Sequence, residues 1–169
     1  MAVPPCGAVS AAFVQNLAQL KRSWYMFFFQ HGLADFVVGA NDHAFIDMLW
    51  KDWSAGYDAT QDLAFVKKSL ADPKHLQAAL GYYRATLGNG YRDPSLDDLQ
   101  TQMAATAPSQ PLLYLHGRND GAIGVEVAES ARAMVPTNVL IEIIDNAGHF
   151  LHLEQIDIVN QRIGEFLGR

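Results

Sequence analysis

The sequence predicts an α/β chain in two parts, a helical stretch followed by two parallel strands with their helices. Three observations carry this. Apolar residues recur at helical spacing through most of positions 10–104. From Pro111 onward two short apolar runs, Pro111–His116 and Val139–Ile144, are closed by turn formers, Gly117 for the first and Asp145-Asn146 for the second. Helical patterns lie between and after these runs. The resulting order, strand, helix, strand, helix, is that of a parallel sheet with packed crossovers.

The spacing predicts helices over 10–30, 42–53, 61–70, 73–88 and 95–104, with Asn41, Asp72 and Ser95 as caps. Leu87-Gly88-Asn89-Gly90 has no strand ahead of it, so it reads as a helix terminus and not as a phosphate loop. The character of the chain changes near 105–111. Beyond it, helices are expected at about 124–135, stopped by Pro136, and at about 155–167. Met1-Ala-Val-Pro-Pro5 reads as the end of another strand leaving its sheet. Two parallel strands and two helices make a poor independent sheet with an unpaired edge. Either further strands complete it, or the chain is a small α+β domain pairing these two alone.

With 169 residues, half of them apolar, the chain can bury one core of ordinary size. A net charge of −6, a pI near 5.4 and only 12 scattered Lys and Arg exclude nucleic acid as a partner, because phosphate binding needs clustered cations. The single cysteine, Cys6, can form neither an internal disulfide nor a paired-cysteine metal site, and reads as a small residue near the Pro-Pro turn. The longest apolar stretch, Trp24–Phe29, falls far short of the roughly 20 residues of a membrane helix. No basic residue precedes Lys21, and Pro4-Pro5 stands where a signal peptide would turn apolar. A cytoplasmic protein without membrane contact is expected. His31, His43 and His75 lack ligand spacing with one another and with Cys6, so no metal and no cofactor are expected.

Chemistry concentrates after the two strands. Asp120 follows the first, in Leu115-His-Gly-Arg-Asn-Asp-Gly121, and His149 follows the second, in Asn146-Ala-Gly-His-Phe-Leu-His152. Loops at the carboxyl ends of parallel strands are where α/β sheets build sites. The glycine before His149 would give the backbone freedom to turn. An Asp that accepts the Nδ1 proton of a His fixes its tautomer and stabilises the imidazolium formed when the ring acts as a base. His116 and His152 read as parts of the same local patterns without catalytic work.

From Pro111 to its end the chain resembles the last two strands and helices of the α/β-hydrolase fold, in which the acid precedes the histidine. The helical half resembles the cap that α/β-hydrolases insert between core strands. Two places resemble soluble epoxide hydrolases: Ser23–Gln30, with Tyr25 five residues before the glutamine of a Phe-Gln pair, and Gly81-Tyr-Tyr-Arg84, where Tyr83 stands immediately before an arginine. Those enzymes usually carry a proline after Phe-Gln; this chain has His31-Gly32. The resemblance divides the chain into the end of a core strand and hinge (1–8), a helical cap (9–107) and the C-terminal part of the hydrolase core (108–169).

The resemblance implies hydrolysis of an epoxide to a diol through an ester intermediate, with a small apolar organic substrate. Asp120 and His149 would activate water, and Tyr25 and Tyr83 would donate to the epoxide oxygen, since a phenol of ordinary pKa near 10 is protonated at neutral pH. Trp24 and Phe28 would pack or line the pocket. The fold's Gly-x-nucleophile-x-Gly elbow occurs nowhere in the sequence, so the chain reads as a fragment, a mis-started reading frame or a half that pairs with another chain, with self-association or pairing with an N-terminal half as the partner expectation. Haloalkane or haloacetate dehalogenase and serine esterase are the enzyme alternatives, separated by the missing nucleophile. A non-catalytic binding module using the cap groove and open sheet edge is the alternative of another class.

Overall fold

The computed structural model describes residues 4, 5 and 7–168. Most of the expected strand end at Met1–Pro5 lies outside the described residues, as does Cys6; Pro4 and Pro5 lie in no strand.

The helical half comprises α1 (Ala8–Gln15), α2 (Leu17–Arg22), α3 (Trp24–Phe28), α4 (Leu33–Val37), α5 (Ala40–Trp53), α6 (Thr60–Leu70), α7 (Pro73–Leu87) and, after a 3₁₀ turn at Pro94–Leu96, α8 (Asp97–Ala105). The helix expected over 10–30 is three helices. Asn16 leaves the helical region (φ −131°, ψ 97°), and its side chain accepts from Ala18 and Gln19 N–H, the capping chemistry that restarts the chain as α2. Two of the three expected caps also differ. Asn41 is one of three consecutive left-handed residues, with Asp42 and His43 (φ 50°, 53° and 56°), residue types that tolerate this region better than most. Ser95 is itself capped: Asp93 accepts from its N–H and hydroxyl, because Pro94 suits the first position of the turn. Asp72 caps α7 as expected, accepting from Lys74 N–H.

In the second half β1 (Leu112–Gly117) and β2 (Val139–Ile144) pair in parallel, Leu112 opposite Val139 and Gly117 opposite Ile144. α9 (Val125–Ala131) is the crossover, and α10 (Leu151–Glu154) and α11 (Ile156–Leu167) follow. These are the only strands among the described residues, so each has one edge without a strand partner there. Among them no helix is long and apolar enough to cross a membrane.

Two apolar clusters result. Tyr114, Ile141, Ile123, Val127, Ala128 and Ala131 pack between strands and α9, joined by Ala8 and Ala12 of α1, so the first helix sits with the sheet. Tyr25, Phe29, Ala34, Val38, Leu49, Leu76 and Leu80 form the second, inside the helical half. The functional loops lie between them.

Candidate active site

The register of β1 against β2 ends with Gly117 beside Ile144, so both following loops leave the sheet together. Arg118 N–H donates to Ile144 O (2.9 Å) and Asn119 N–H to Ala147 O (2.8 Å), tying one loop to the other. Asn146, at φ 57°, makes the left-handed turn in the second loop. Gly148 has no positive φ; it is needed because a Cβ there would stand 2.7 Å from Ser54 Oγ and 2.8 Å from Trp53 O. The freedom expected of this glycine is thus room for the cap, and the asparagine turns the chain.

These loops bring Asp120 and His149 together in a nearly dry setting, their side chains 5% and 7% exposed. A buried carboxylate needs its lone pairs occupied. Oδ1 of Asp120 accepts from Ala122 N–H (2.7 Å) and Ile123 N–H (2.9 Å), and Oδ2 accepts from His149 Nδ1 (2.9 Å). A carboxylate only accepts, so Nδ1 carries a proton, and in the neutral ring Nε2 carries the lone pair. Beneath them His116 is buried, its Nε2 4.0 Å from the same Oδ2. Burial lowers its pKa, against the pull of Asp120, and burial likewise raises that of Tyr114. Tyr114 therefore donates to His116 Nδ1 (2.9 Å), and Nε2 donates to Ile123 O (3.0 Å).

The helical half closes over this pair. Trp53, at the end of α5, receives Gly121 N–H and His149 N–H on its single carbonyl, both at 3.1 Å. Its ring lies 5.2 Å from the His149 ring and 5.0 Å from that of Tyr25. Tyr25 and Tyr83 meet edge to face at 5.9 Å. Gln30 spans both tyrosine-bearing helices, its Nε2 donating to Met26 O (2.8 Å) and Tyr83 O (3.1 Å). Arg84 grips Phe29 O (2.8 Å) and pairs bidentately with Asp35, whose carboxyl it holds below its ordinary range. Burial, then the nearby Tyr83 and Asp120, raise the Tyr25 phenol well above its usual value; burial alone raises Tyr83. Both phenols are therefore neutral donors at any physiological pH.

The structure thus brings Tyr25 and the Asp120–His149 pair to Trp53, with Tyr83 behind Tyr25. Trp24 is partly exposed and lines an open cavity of about 580 Å³ with Ala18, Arg22, Leu49, Trp53 and Gly121. Phe28 stacks on Phe45 at 5.5 Å, within the cap's aromatic packing. His43 bonds to Leu70 O and His75 to Ser69 O, and among the described residues no group of three or more His, Cys, Asp or Glu could hold a metal.

No family model matches the chain. Human epoxide hydrolase 4 is 31% identical over 161 residues, 91% of this chain and 41% of its own length. Similarity along nine-tenths of the chain thus supports an epoxide hydrolase-like α/β-hydrolase. Its fold superposes on a Klebsiella pneumoniae protein described as a candidate epoxide hydrolase (TM-score 0.72, 23% identity, 89% of this chain and 50% of that one) and on an epoxide hydrolase from Bacillus megaterium (TM-score 0.67, 18% identity, 98% and 58%). A shorter similarity, 41% over 58 residues, links 34% of the chain to 19% of the carboxylesterase YbfK of Bacillus subtilis. The chain spans about two fifths of the human relative and about half of the solved structures, and corresponds to the C-terminal portion of the α/β-hydrolase fold, a helical segment with two parallel strands.

In this epoxide hydrolase-like frame sequence reasoning missed the residues that join the helical half to these loops: Trp53 and its carbonyl, Ser54, Gln19 and Glu154. Gln19 is fully buried on α2; its amide donates to Ser23 Oγ and Ala122 O and accepts from Gly124 N–H, bracketing the turn after the acid. The available signal was Gly121, since a glycine beside the candidate acid Asp120 implies a close neighbour. A Cβ there would lie 1.9 Å from Asp52 O. Gly121→Ala is expected to lower stability by about 1–3 kcal/mol, as overpacking does. Gly32→Ala, in open space with helical φ, should be neutral or stabilise by about 0.4–1 kcal/mol. Urea unfolding of the two variants checks this, and equal midpoints would mean that the cap does not bear on the acid loop.

Proposed function

We propose that this chain supplies the cap, the acid and the base of an epoxide hydrolase working through an ester intermediate, its nucleophile being an aspartate outside these residues. Residues 1–8 would be the hinge, 9–107 the cap and 108–169 the core portion, with α1 seated on the core. The observation that carries the reading is the ring series in which Tyr83 lies 5.9 Å from Tyr25, Tyr25 5.0 Å from Trp53 and Trp53 5.2 Å from His149, itself bonded to Asp120.

In this scheme the carboxylate attacks a ring carbon, the C–O bond breaks, and the oxygen, held by Tyr25 and Tyr83, stays on the neighbouring carbon and takes the proton of one phenol, which the carboxylic acid freed by ester hydrolysis later restores. His149 Nε2 then takes a proton from water as the oxygen of that water adds to the ester carbonyl. Asp120 stabilises the imidazolium, the acyl C–O bond breaks, the imidazolium proton goes to the leaving alkoxide, and the diol departs. Trp24 and Phe28 would shape an apolar pocket. A serine esterase is the second reading, supported by the similarity to YbfK.

The nucleophile half would also cover the open strand edges and exposed apolar side chains of α11, of which Ile156, Ile158 and Ile163 are at least two-fifths exposed. A cytoplasmic setting, for which the lone Cys6 speaks, belongs to the same proposal. The test is to co-produce the chain with an α/β-hydrolase N-terminal half bearing an aspartate elbow. A one-to-one complex that turns over an epoxide and yields the aspartyl ester by mass spectrometry is expected. A complex that turns over esters only when its elbow carries serine would overturn the reading in favour of the esterase.

A further inference from the structure

Three consecutive backbone amides carry the base, and all three are held. His149 N–H donates to Trp53 O (3.1 Å). The amides on either side go to one carboxylate: Gly148 N–H to Glu154 Oε2 (2.8 Å) and Phe150 N–H to Glu154 Oε1 (3.1 Å). The same Oε1 accepts from Ser54 Oγ (2.8 Å), a buried cap hydroxyl that also receives Phe150 N–H (3.2 Å). Trp50, one turn earlier on α5, stacks on Phe150 at 3.9 Å. Glu154 closes the short helix α10, which folds it back beneath its own loop.

We propose that Glu154 is the positioning residue of the base, setting the His149 ring against Asp120 by clamping both flanking amides and locking them to the cap through Ser54. This rests on the reading of His149 as the base. The chemistry requires a carboxylate. Three donors converge on two oxygens, so an amide at this position would turn an N–H₂ toward one of them and repel it. An N–H or hydroxyl donor bonded to a charged oxygen is held about twice as strongly as one bonded to a neutral oxygen. Displacement of the loop by even a fraction of an ångström would lengthen the 2.9 Å Nδ1–Oδ2 bond, which is the quantity the clamp controls.

The test uses the 169-residue chain itself and reads the Nδ1 proton of His149 by ¹H–¹⁵N NMR of the imidazoles, assigned with His149→Gln. In the parent chain a slowly exchanging Nδ1–H and a single tautomer are expected. Glu154→Gln should raise the exchange rate at least about tenfold and mix the tautomers, Glu154→Asp should recover part of the protection, and the exposed control Glu129→Gln should change nothing. A folded Glu154→Gln chain with unchanged tautomer and exchange overturns the proposal. If that variant does not fold, Ser54→Ala and Glu154→Asp decide: a shift of the same signal in either supports the clamp, and no shift in both overturns it. Asp120→Asn separates the two readings. If it leaves the signal untouched, the acid–base pairing itself fails, whereas its loss alongside an unaffected Glu154→Gln removes only the clamp.

Discussion

Asp120→Asn is expected to leave the chain folded and to slow the completed hydrolase by about 10⁴, the cost of the wrong histidine tautomer in an acid–histidine pair. The asparagine oxygen can still accept from Ala122 and Ile123 N–H, so the turn after β1 keeps both buried bonds. Its amide nitrogen then faces His149 Nδ1. Two donors cannot share that 2.9 Å line, so the ring accepts there and protonates Nε2, the nitrogen that must take the water proton. Ester formation needs no base, so an epoxide should give one equivalent of covalent product and then stall. Rapid-quench mass spectrometry counts it. Asp120→Ala is a different experiment: it strips the acceptor from two buried amides and from His149, costing about 3–5 kcal/mol of stability by analogy with half-broken buried pairs. Steady turnover by Asp120→Asn within tenfold of the parent would show that His149 is not the base.

Tyr25→Phe or Tyr83→Phe in the same complex should lower epoxide turnover by about 10²–10³, the usual effect of removing one positioned donor to a developing oxyanion. The rings stay, so the edge-to-face contacts with Phe29 and each other and the tilted contact of Tyr25 with Trp53 survive, and stability should hardly move. Two phenols sharing one oxygen partly cover for each other, and the double variant should be worse than either single without the losses adding. Ester hydrolysis draws its oxyanion donors from the nucleophile side and should lose much less. Equal, small losses on both substrates would make Tyr25 and Tyr83 packing residues and remove the epoxide assignment while leaving the fold.

Much of this was legible in the one-dimensional pattern. The strands were readable because a buried parallel strand is a continuous apolar run closed by turn formers, and Val139–Ile144 matches residue for residue. Asp120 and His149 were readable because a parallel pair delivers both carboxyl-end loops to one place, so sequence position implies proximity. Tyr25 and Tyr83 stood out only through a family pattern, since periodicity alone does not assign a phenol to a pocket or to packing. The breaks at Asn16 and Ser23 escaped because apolar spacing continues across them; a side-chain cap, not a loss of periodicity, ends the helix. The left-handed run at Asn41–His43 escaped for the same reason. The sequence therefore specified both strands and which two loops carry Asp120 and His149. It was silent on what holds those loops, because Trp53, Ser54 and Gln19 lie roughly a hundred residues away in the chain and act through a carbonyl, a hydroxyl and an amide that have no periodic signature. Those bonds exist only once the apolar faces of α2 and α5 have been buried against their neighbours, and it is that burial that brings a cap carbonyl to 3.1 Å from the amides of both Gly121 and His149.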